Sequence, residues 1–319
     1  MKKIIFTNAH IVDPTQKINK LGSLTVENEK IVNLSFNNTN FKKSKNNEII
    51  DCKKLILAPG FVDLKCHLRV PGDEHKENLS YASEAAASSG ITSLVCMPNT
   101  NPIIDNVSIV ELLQRKARKE SHVKIFSTAS ITKQLLGKEL SEFGLLKEAG
   151  AVAFTDAINA VNKSSVMYKA LKYASAFDIL LMQHPEDKEL SAGGSMTAGK
   201  LATELGIKGI PLQAEVIQVE RDLRLAEMTN GRIHFLNIST GLAIDAIRNA
   251  QKKGVKVTCS TSPHYFSLDE ADIKKWRTFS KLSPPLRDKK NLNFVKEGIV
   301  NNIITCITSD HSPHDTDSK

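Results

Sequence analysis

Short apolar runs alternate with amphipathic runs from residue 60 to the end of the chain. Eight runs have the β-branched, apolar character of buried strands: GFVDLKCHL, ITSLVCM, VKIFSTAS, AVAFTD, ILLMQH, RIHFLNIS, VKVTCST and IITCITSD. Runs with helical spacing lie between them, including NLSYASEAAASSG, NVSIVELLQRKARKE, KSSVMYKALKYASAF, IPLQAEVIQVERDLRLAEMT and GLAIDAIRNAQKKG. This alternation predicts an α/β protein with a parallel sheet buried on both faces. The count of eight strands predicts a closed (β/α)8 TIM barrel.

The first part of the chain has a different pattern. Residues 1–58 contain strand-like runs separated by polar loops, namely KKIIFTNAHIV, GSLTVENEKIVNLSF and EIIDCKKLILAPG. They predict a small N-terminal β-sandwich module over 1–58, followed by the barrel domain over 59–319. After Asp310 only HSPHDTDSK remains, so we expect the chain to stop after barrel strand 8 without its helix. A fragment and a natural end with one flank uncovered both remain open.

Composition excludes several classes of protein. The chain is 41% hydrophobic, as in a globular protein, and no apolar run reaches the roughly 18 residues that span a membrane. The formal charge of +8 comes from scattered lysines without interleaved aromatic residues, so we expect no nucleic-acid partner. The five cysteines form no CxxC pair, and their number is odd. This favours a reducing, cytoplasmic setting over a disulfide framework.

Polar residues recur where the predicted strands end. In a TIM barrel, function is located at the C-terminal ends of the strands. Seven of the eight strands supply a candidate there, and only the third lacks one: Lys65 and His67, Asn99, Asp156, His184, Asn237, His264 and Asp310. Any one of these residues could equally be a strand-end cap or a satisfied core residue. The recurrence of the whole set at one level indicates a functional site.

Several motifs resemble those of the class I dihydroorotases in the amidohydrolase superfamily. They occur in family order along the chain: GFVDLKCHLRVPGDEHKENL, VCMPNTNPIID, AFTD, HPED, NIST, KLSPPLR and SDHSPH. Hydantoinases and allantoinases share the plan but match these loops less well. The resemblance implies a barrel of the amidohydrolase type, with a C-terminal segment that completes the β-sandwich module. It also implies reversible cyclisation of N-carbamoyl-L-aspartate to dihydroorotate in pyrimidine biosynthesis.

The resemblance also implies roles for single residues. Zinc would be held by four side chains: His67, Asp156, His184 and Asp310. Asp156 would bridge two metals, and Asp310 would also act as the catalytic general acid and base. The substrate carboxylate would be bound by Arg69 and Asn99, with His314 on the other side. A homo-oligomer is expected, and the family contains chains assembled with aspartate carbamoyltransferase.

Two expected metal ligands are replaced. Lys65 stands where the first His of His-x-His is expected, and Asn237 stands where the His of strand 6 is expected. Two smaller departures are Ser283, in place of the usual Asn, and DAI in place of DDG. One metal position keeps His67, Asp156 and Asp310, but the other keeps only Asp156 and His184. We therefore expect the chain to hold at most one zinc firmly, or none.

Lys65 has three interpretations. Strand alternation puts Asp63, Lys65 and His67 on one face, so the ammonium should point toward the metal position. There it would replace the charge of the metal and neutralise Asp156 and Asp310. Alternatively, Lys65 extends to solvent and leaves a weak one-metal site, or it acts as a base with a lowered pKa. His234, three residues before Asn237, should point to the opposite face and cannot take over as a ligand.

Three functions remain open. The first is a dihydroorotase with one metal or none, which the retained Arg69, Asn99, Asp310 and His314 favour. The second is a non-catalytic dihydroorotase-like subunit that scaffolds aspartate carbamoyltransferase, which the two lost histidines favour. The third is another cyclic-amide hydrolase with altered specificity, for which Ser283 is the hint.

Overall fold

The chain forms two compact units. A computed structural model describes residues 3–37, 41, 44, 46–315 and 317, with only the backbone described at 275–277. The units are Met1–Phe61 and Val62–Lys319, and the sequence predicts the boundary after residue 58. None of the helices formed by the described residues has the length and apolar character that a membrane-spanning segment needs.

The N-terminal unit is built from one β-sheet in the part that the structure describes. Its strands are β1 (Lys3–Asp13), β2 (Ile18–Glu27), β3 (Lys30–Ser35), β4 (Asn47–Asp51) and β5 (Ile56–Leu57). The order is β3-β2-β1-β4, with β5 also paired to β1. Strand β2 is antiparallel to β1 and β3, whereas β4 and β5 run parallel to β1. Ala9, Ile11 and Cys52 form the buried apolar core of this unit.

The second unit contains the eight predicted barrel strands, which confirms the (β/α)8 prediction. In chain order they are β6 (Phe61–Cys66), β7 (Ile91–Cys96), β8 (Lys124–Ser127), β9 (Phe154–Thr155), β10 (Leu180–Gln183), β13 (Arg232–Phe235), β14 (Val257–Thr261) and β15 (Cys306–Ile307). Two sheets of three and five strands are joined by parallel bridges, Ala129 with Phe154 and Cys66 with His311. The second bridge brings the first and last strands side by side.

Helices follow most of the strands. Among the described residues they are α1 (Leu79–Ser88), α2 (Val107–Glu120), α3 (Phe143–Glu148), α4 (Ser164–Ala176), α5 (Lys188–Ser191), α6 (Lys200–Leu205), α7 (Gln213–Thr229), α8 (Gly241–Lys252), α9 (Pro263–Ser267), α10 (Ile273–Trp276) and α11 (Lys289–Val300). Short 3-10 turns cover Lys133–Leu135, Glu270–Asp272 and Arg277–Ser280. The five helical runs quoted from the sequence correspond to α1, α2, α4, α7 and α8.

Polar side chains cap the start of several helices. Asn78 accepts a hydrogen bond from the Tyr81 amide at the start of α1, and Asn106 accepts one from Ile109 at the start of α2. Asp288 caps α11 in the same way. Each cap satisfies a helical N–H that would otherwise lack a partner, so the loop ends where the sequence supplies Asn or Asp.

A small insertion between β10 and α7 escaped the sequence prediction. It contains α5, α6 and two very short strands, β11 (Met196–Thr197) and β12 (Gly209–Ile210). These two strands pair in parallel as a separate sheet. Two-residue strands carry no readable period, which explains the omission.

The barrel has two apolar layers on opposite faces of its strands. The larger cluster packs outward-facing residues such as Cys96, Leu181 and Phe235 together with the helices. Their neighbours in the chain form the second cluster: Val95, Met97, Ala153, Ala157, Met182 and Leu236. Because side chains alternate along a strand, this smaller cluster fills the barrel interior. The polar strand ends lie above that interior layer, at the mouth of the barrel.

Candidate functional site

A three-residue polar cluster links the ends of strands 1, 6 and 8. The Lys65 Nζ lies 2.6 Å from Asp310 Oδ1, and the side chains are 2% and 12% exposed. Asn237 donates from Nδ2 to Asp310 Oδ2 over 2.8 Å. The carboxylate therefore interacts with a cation through one oxygen and with an amide donor through the other. Lys65 and Asn237, the two residues that replace expected histidines, both contact Asp310.

The strand ends at the mouth have unusual backbone conformations. Arg69, Ala157, Asn237 and Asp310 have φ values of 58°, 56°, 52° and 58°. Left-handed backbone is costly for residues other than glycine and concentrates at functional sites, where surrounding contacts hold it in place. All four positions were noted from the sequence, Ala157 as part of the DAI that stands in place of DDG.

The orientation of His234 differs from the one expected from the sequence. His234 alternates with the outward-facing Ile233 and Phe235, so it faces the barrel interior. There its ring contacts Thr258 Oγ1 at 2.8 Å and Ser260 Oγ at 3.1 Å. Asn237 also points into the mouth, because its left-handed backbone interrupts the strand alternation. His234 is thus engaged one layer deeper, and the expected opposite-face orientation is wrong.

The His67 ring is held by Asn99, which follows the second strand. Its Nδ1 lies 2.8 Å from Asn99 Oδ1, and because an amide oxygen can only accept, Nδ1 carries the proton. Burial, followed by the nearby Lys65 ammonium, lowers the pKa of His67 to about 4. The ring is therefore neutral at physiological pH, with Nε2 as its free-lone-pair nitrogen. Asn99, predicted to bind substrate, here orients His67.

Asp156 contacts a residue that the sequence did not reveal. Thr132 donates its backbone N–H to Asp156 Oδ1 over 2.9 Å and its hydroxyl to Oδ2 over 2.5 Å. Burial raises the pKa of Asp156 to about 6, although these two hydrogen bonds act in the opposite direction. Thr132 follows the third strand, the one without a predicted candidate. No periodic signal marked it, because it lies in the loop beyond that strand.

His184 is fully enclosed at the end of strand 5. Its Nε2 lies 3.0 Å from the Ser283 hydroxyl, and its Nδ1 has no hydrogen-bond partner among the described residues. Burial, with Lys65 as the next cause, lowers the pKa of His184 to about 3. Ser283, noted from the sequence as a departure, is thus a direct neighbour of a predicted ligand.

The predicted carboxylate-binding residues lie around the segment that follows Asp310. Arg69 donates from Nε to the Pro313 carbonyl over 3.1 Å and from Nη2 to the Ser312 hydroxyl over 2.9 Å. His314 is exposed two residues beyond Ser312. His264, at the end of strand 7, is partly exposed and its ring meets the Tyr265 ring edge-on.

A zinc site does not fit the side chains as they stand. Among the described residues, no three His, Cys, Asp or Glu side chains converge closely enough to hold a metal ion. Both Asp310 oxygens face donors, and both Asp156 oxygens accept hydrogen bonds from Thr132. A lysine ammonium has no lone pair for a metal and repels a cation. Asp310 therefore interacts with Lys65 where a metal ligand was expected.

Comparison with known proteins agrees with the motifs. Residues 53–241 match the family model described as dihydro-orotase-like. A dihydroorotase of Wolbachia sp. subsp. Drosophila simulans (strain wRi) is 43% identical over 318 residues, which are 99% of this chain and 71% of that relative. The chain belongs to the dihydroorotase family. The dihydroorotase of Syntrophus aciditrophicus (strain SB) is 42% identical over 98% of this chain and 73% of its own length.

Solved structures of similar fold extend the comparison. The L-hydantoinase (dihydropyrimidinase) from Arthrobacter aurescens superposes with a TM-score of 0.83 at 22% identity, covering 100% of this chain and 71% of that one. A D-hydantoinase from Thermus sp. gives 0.78 at 20% identity, covering 99% and 70%. At this identity the likeness establishes a shared fold, so this dihydroorotase-family chain has the same type of barrel as these two structures.

Proposed function

We propose that this dihydroorotase-family protein acts in pyrimidine biosynthesis on N-carbamoyl-L-aspartate and dihydroorotate, with an impaired metal site. Family membership and the relatives named dihydroorotase support the substrate class. The observation that carries the proposed impairment is the 2.6 Å contact between Lys65 and Asp310. It gives this carboxylate a cation from the chain itself, without zinc.

The chain's own groups suggest how much chemistry remains. Asp310 is the carboxylate available to carry a proton to or from the ring nitrogen, and Lys65 lies 2.6 Å from it. Arg69, Asn99 and His314 are proposed to hold the substrate carboxylate, which requires Arg69 to exchange its bonds to Ser312 and Pro313. Lys65 supplies charge but no bound hydroxide, so we expect turnover far below that of a metal-loaded relative.

The decisive test restores the two missing ligands. In Lys65→His/Asn237→His, two imidazoles replace the ammonium and the amide at Asp310. We expect zinc content, measured by inductively coupled plasma mass spectrometry after desalting, to rise from near zero to about one per chain. Lys65→Gln/Asn237→Gln is the matched control, because it removes the ammonium without adding imidazole. Equal zinc in both double variants would show that the two positions do not limit metal binding.

A non-catalytic role is the second candidate. The same ion pair favours it, because a barrel that is balanced without metal can persist as a scaffold for aspartate carbamoyltransferase. Turnover of dihydroorotate that falls at least tenfold in Asp310→Asn would support the enzyme. A stoichiometric complex with purified aspartate carbamoyltransferase, without turnover, would support the scaffold.

We also propose a cytoplasmic location and a homo-oligomeric state. All five cysteines are free thiols, and Cys52, Cys66, Cys96 and Cys259 are buried. Buried thiols of this kind suit a reducing compartment. Sedimentation velocity of the purified chain tests the oligomeric state, and a monomer at micromolar concentration would contradict that proposal.

A further inference from the structure

A buried ion pair lies beside the mouth, outside the cluster around Asp310. Glu215, in the first turn of α7, is 1% exposed, and Arg287 is 3% exposed, with Nη2 3.5 Å from Glu215 Oε2. The carboxylate accepts the backbone N–H groups of Ser239 and Thr240 at 3.1 and 2.9 Å, and the hydroxyls of both. Arg287 donates to Ser239 Oγ over 2.9 Å and to Thr197 Oγ1 over 3.3 Å.

This pair joins loops that come from different strands. Thr197 belongs to the insertion after strand 5, Ser239 and Thr240 to the loop after strand 6, and Arg287 to the segment after strand 7. Thr240 is also the N-cap of α8, where its hydroxyl accepts the Ala243 amide. Glu215 and Arg287 therefore hold three loops at fixed distances from one another.

Both loops next to the ion pair carry residues of the site. Asn237 lies two residues before Ser239 and donates to Asp310. Ser283 lies in the same SPPLR segment as Arg287 and contacts His184. Asn237 has a left-handed φ of 52°, which neighbouring contacts must maintain. Leu236 and Ile238 donate their N–H groups to the Gln183 and Ser260 carbonyls over 2.8 Å each, and the next two residues, Ser239 and Thr240, bond to Glu215.

We propose that Glu215 and Arg287 are positioning residues, which fix the loop after strand 6 so that residue 237 reaches Asp310. The inference rests on the proposed function only in taking the Asp310 cluster as the functional site. A buried ion pair adds little net stability compared with apolar packing, so we assign this pair a role in selecting the loop conformation. Here the carboxylate is the shared acceptor for the turn that aims the side chain of Asn237.

The test uses an isosteric change that removes only the charge. In Glu215→Gln, the amide loses its attraction to Arg287 and one of its two acceptor oxygens. In protein labelled with 15N at asparagine, we expect the Asn237 side-chain amide signal to lose the shift caused by Asp310. That signal is assigned by its disappearance in Asn237→Ser. We also expect the Ser239 and Thr240 amides to exchange hydrogen about tenfold faster.

The same helix supplies a matched control. Asp222 in α7 is fully buried, lies 2.7 Å from Arg221 Nη2 and accepts Gln183 Nε2 at 3.1 Å. Asp222→Asn should lower the melting temperature while leaving the Asn237 signal unchanged. Arg287→Lys keeps the charge but loses the guanidinium fork. We therefore expect it to remove part of the shift that Asp310 causes in the Asn237 side-chain signal.

Three outcomes bear directly on the inference. A wild-type Asn237 signal in folded Glu215→Gln would overturn it, and so would the same signal change in Asp222→Asn. If Glu215→Gln does not fold, the Arg287→Lys spectrum decides in the same way. None of these readouts depends on turnover or zinc. An unchanged Asn237 signal would therefore overturn the positioning role without bearing on the proposed function. If turnover and zinc tests contradict the proposed function, the Asn237 signal can still be interpreted.

Discussion

Lys65 contributes a positive charge beside Asp310 that also acts on His67 and His184. Its ammonium is 2.6 Å from Asp310 and is the second cause, after burial, of the low pKa values of His67 and His184. One side chain thus affects three others on three strands. Because the pair is nearly enclosed, the attraction is screened little by solvent, and removing one partner leaves a charge without compensation.

Removing the ammonium should destabilise the fold. Lys65→Met keeps the aliphatic volume but leaves the Asp310 carboxylate unpaired, at an expected cost of about 3–5 kcal/mol in urea unfolding. The double variant Lys65→Met/Asp310→Asn should recover most of that loss, because neither charge remains. If the losses in unfolding free energy of Lys65→Met and Asp310→Asn simply add in the double variant, Lys65 and Asp310 are not energetically coupled.

His234 should make stability depend on pH. Burial lowers its pKa to about 4, so between pH 6.5 and 4 the unfolded chain binds a proton that the folded chain does not. Acidification across this range therefore favours unfolding, by up to about 3 kcal/mol from this group alone. His234→Gln should lose that part of the pH dependence while keeping a partner for Thr258 or Ser260. Parallel stability curves for the two proteins between pH 7 and 4 would contradict the assignment.

The elements position the site through the loops after their strands. The loop after β6 approaches the loop after β7 so closely that Asn101 donates its N–H to the Pro71 carbonyl over 2.9 Å. Gly72 stands at this contact with a φ of +106°, and a Cβ there would lie 2.1 Å from the Asn101 carbonyl oxygen. A residue with a side chain would thus meet both a steric clash and an unfavourable backbone conformation.

Substitution of that glycine should therefore be severe. Gly72→Ala is expected to cost more than about 2 kcal/mol, since the clash is with backbone that cannot move away. Gly137→Ala is the matched control, because Gly137 also has a positive φ, +66°, but nothing lies within 4 Å of its Cβ position. It should lose only about 1 kcal/mol from backbone strain. Similar melting temperatures for the two variants would show that the close approach to Asn101 does not make Gly72→Ala more destabilising.

At the scale of the molecule, barrel closure creates the site. The bridge between Cys66 and His311 brings the first and eighth strands together, and the Lys65–Asp310 contact follows from it. Since the two partners come from the strands on either side of the closure, removing one of them should leave an unpaired charge at the seam of the barrel.

Metal removal should leave the fold intact. Because Lys65 supplies the cation, dialysis against a chelator is expected to leave the melting temperature of the wild-type chain unchanged in calorimetry. The zinc-loaded Lys65→His/Asn237→His variant serves as the positive control and should lose several degrees under the same treatment. A comparable loss in the wild-type chain would mean that a metal contributes to its native state.

The sequence by itself determined the eight strands, five of the helices and the polar strand ends, because periodicity, caps and residue type are local properties. It also identified Lys65 and Asn237 as unusual. Only the tertiary structure decided that both face Asp310, that Thr132 holds Asp156, and that Glu215 reaches Ser239. These contacts join residues far apart in the chain, and several depend on left-handed backbone at strand ends. Strand alternation therefore gave the wrong orientation for His234 relative to Asn237, whose backbone is left-handed. Barrel closure explains why Lys65 and Asp310 meet.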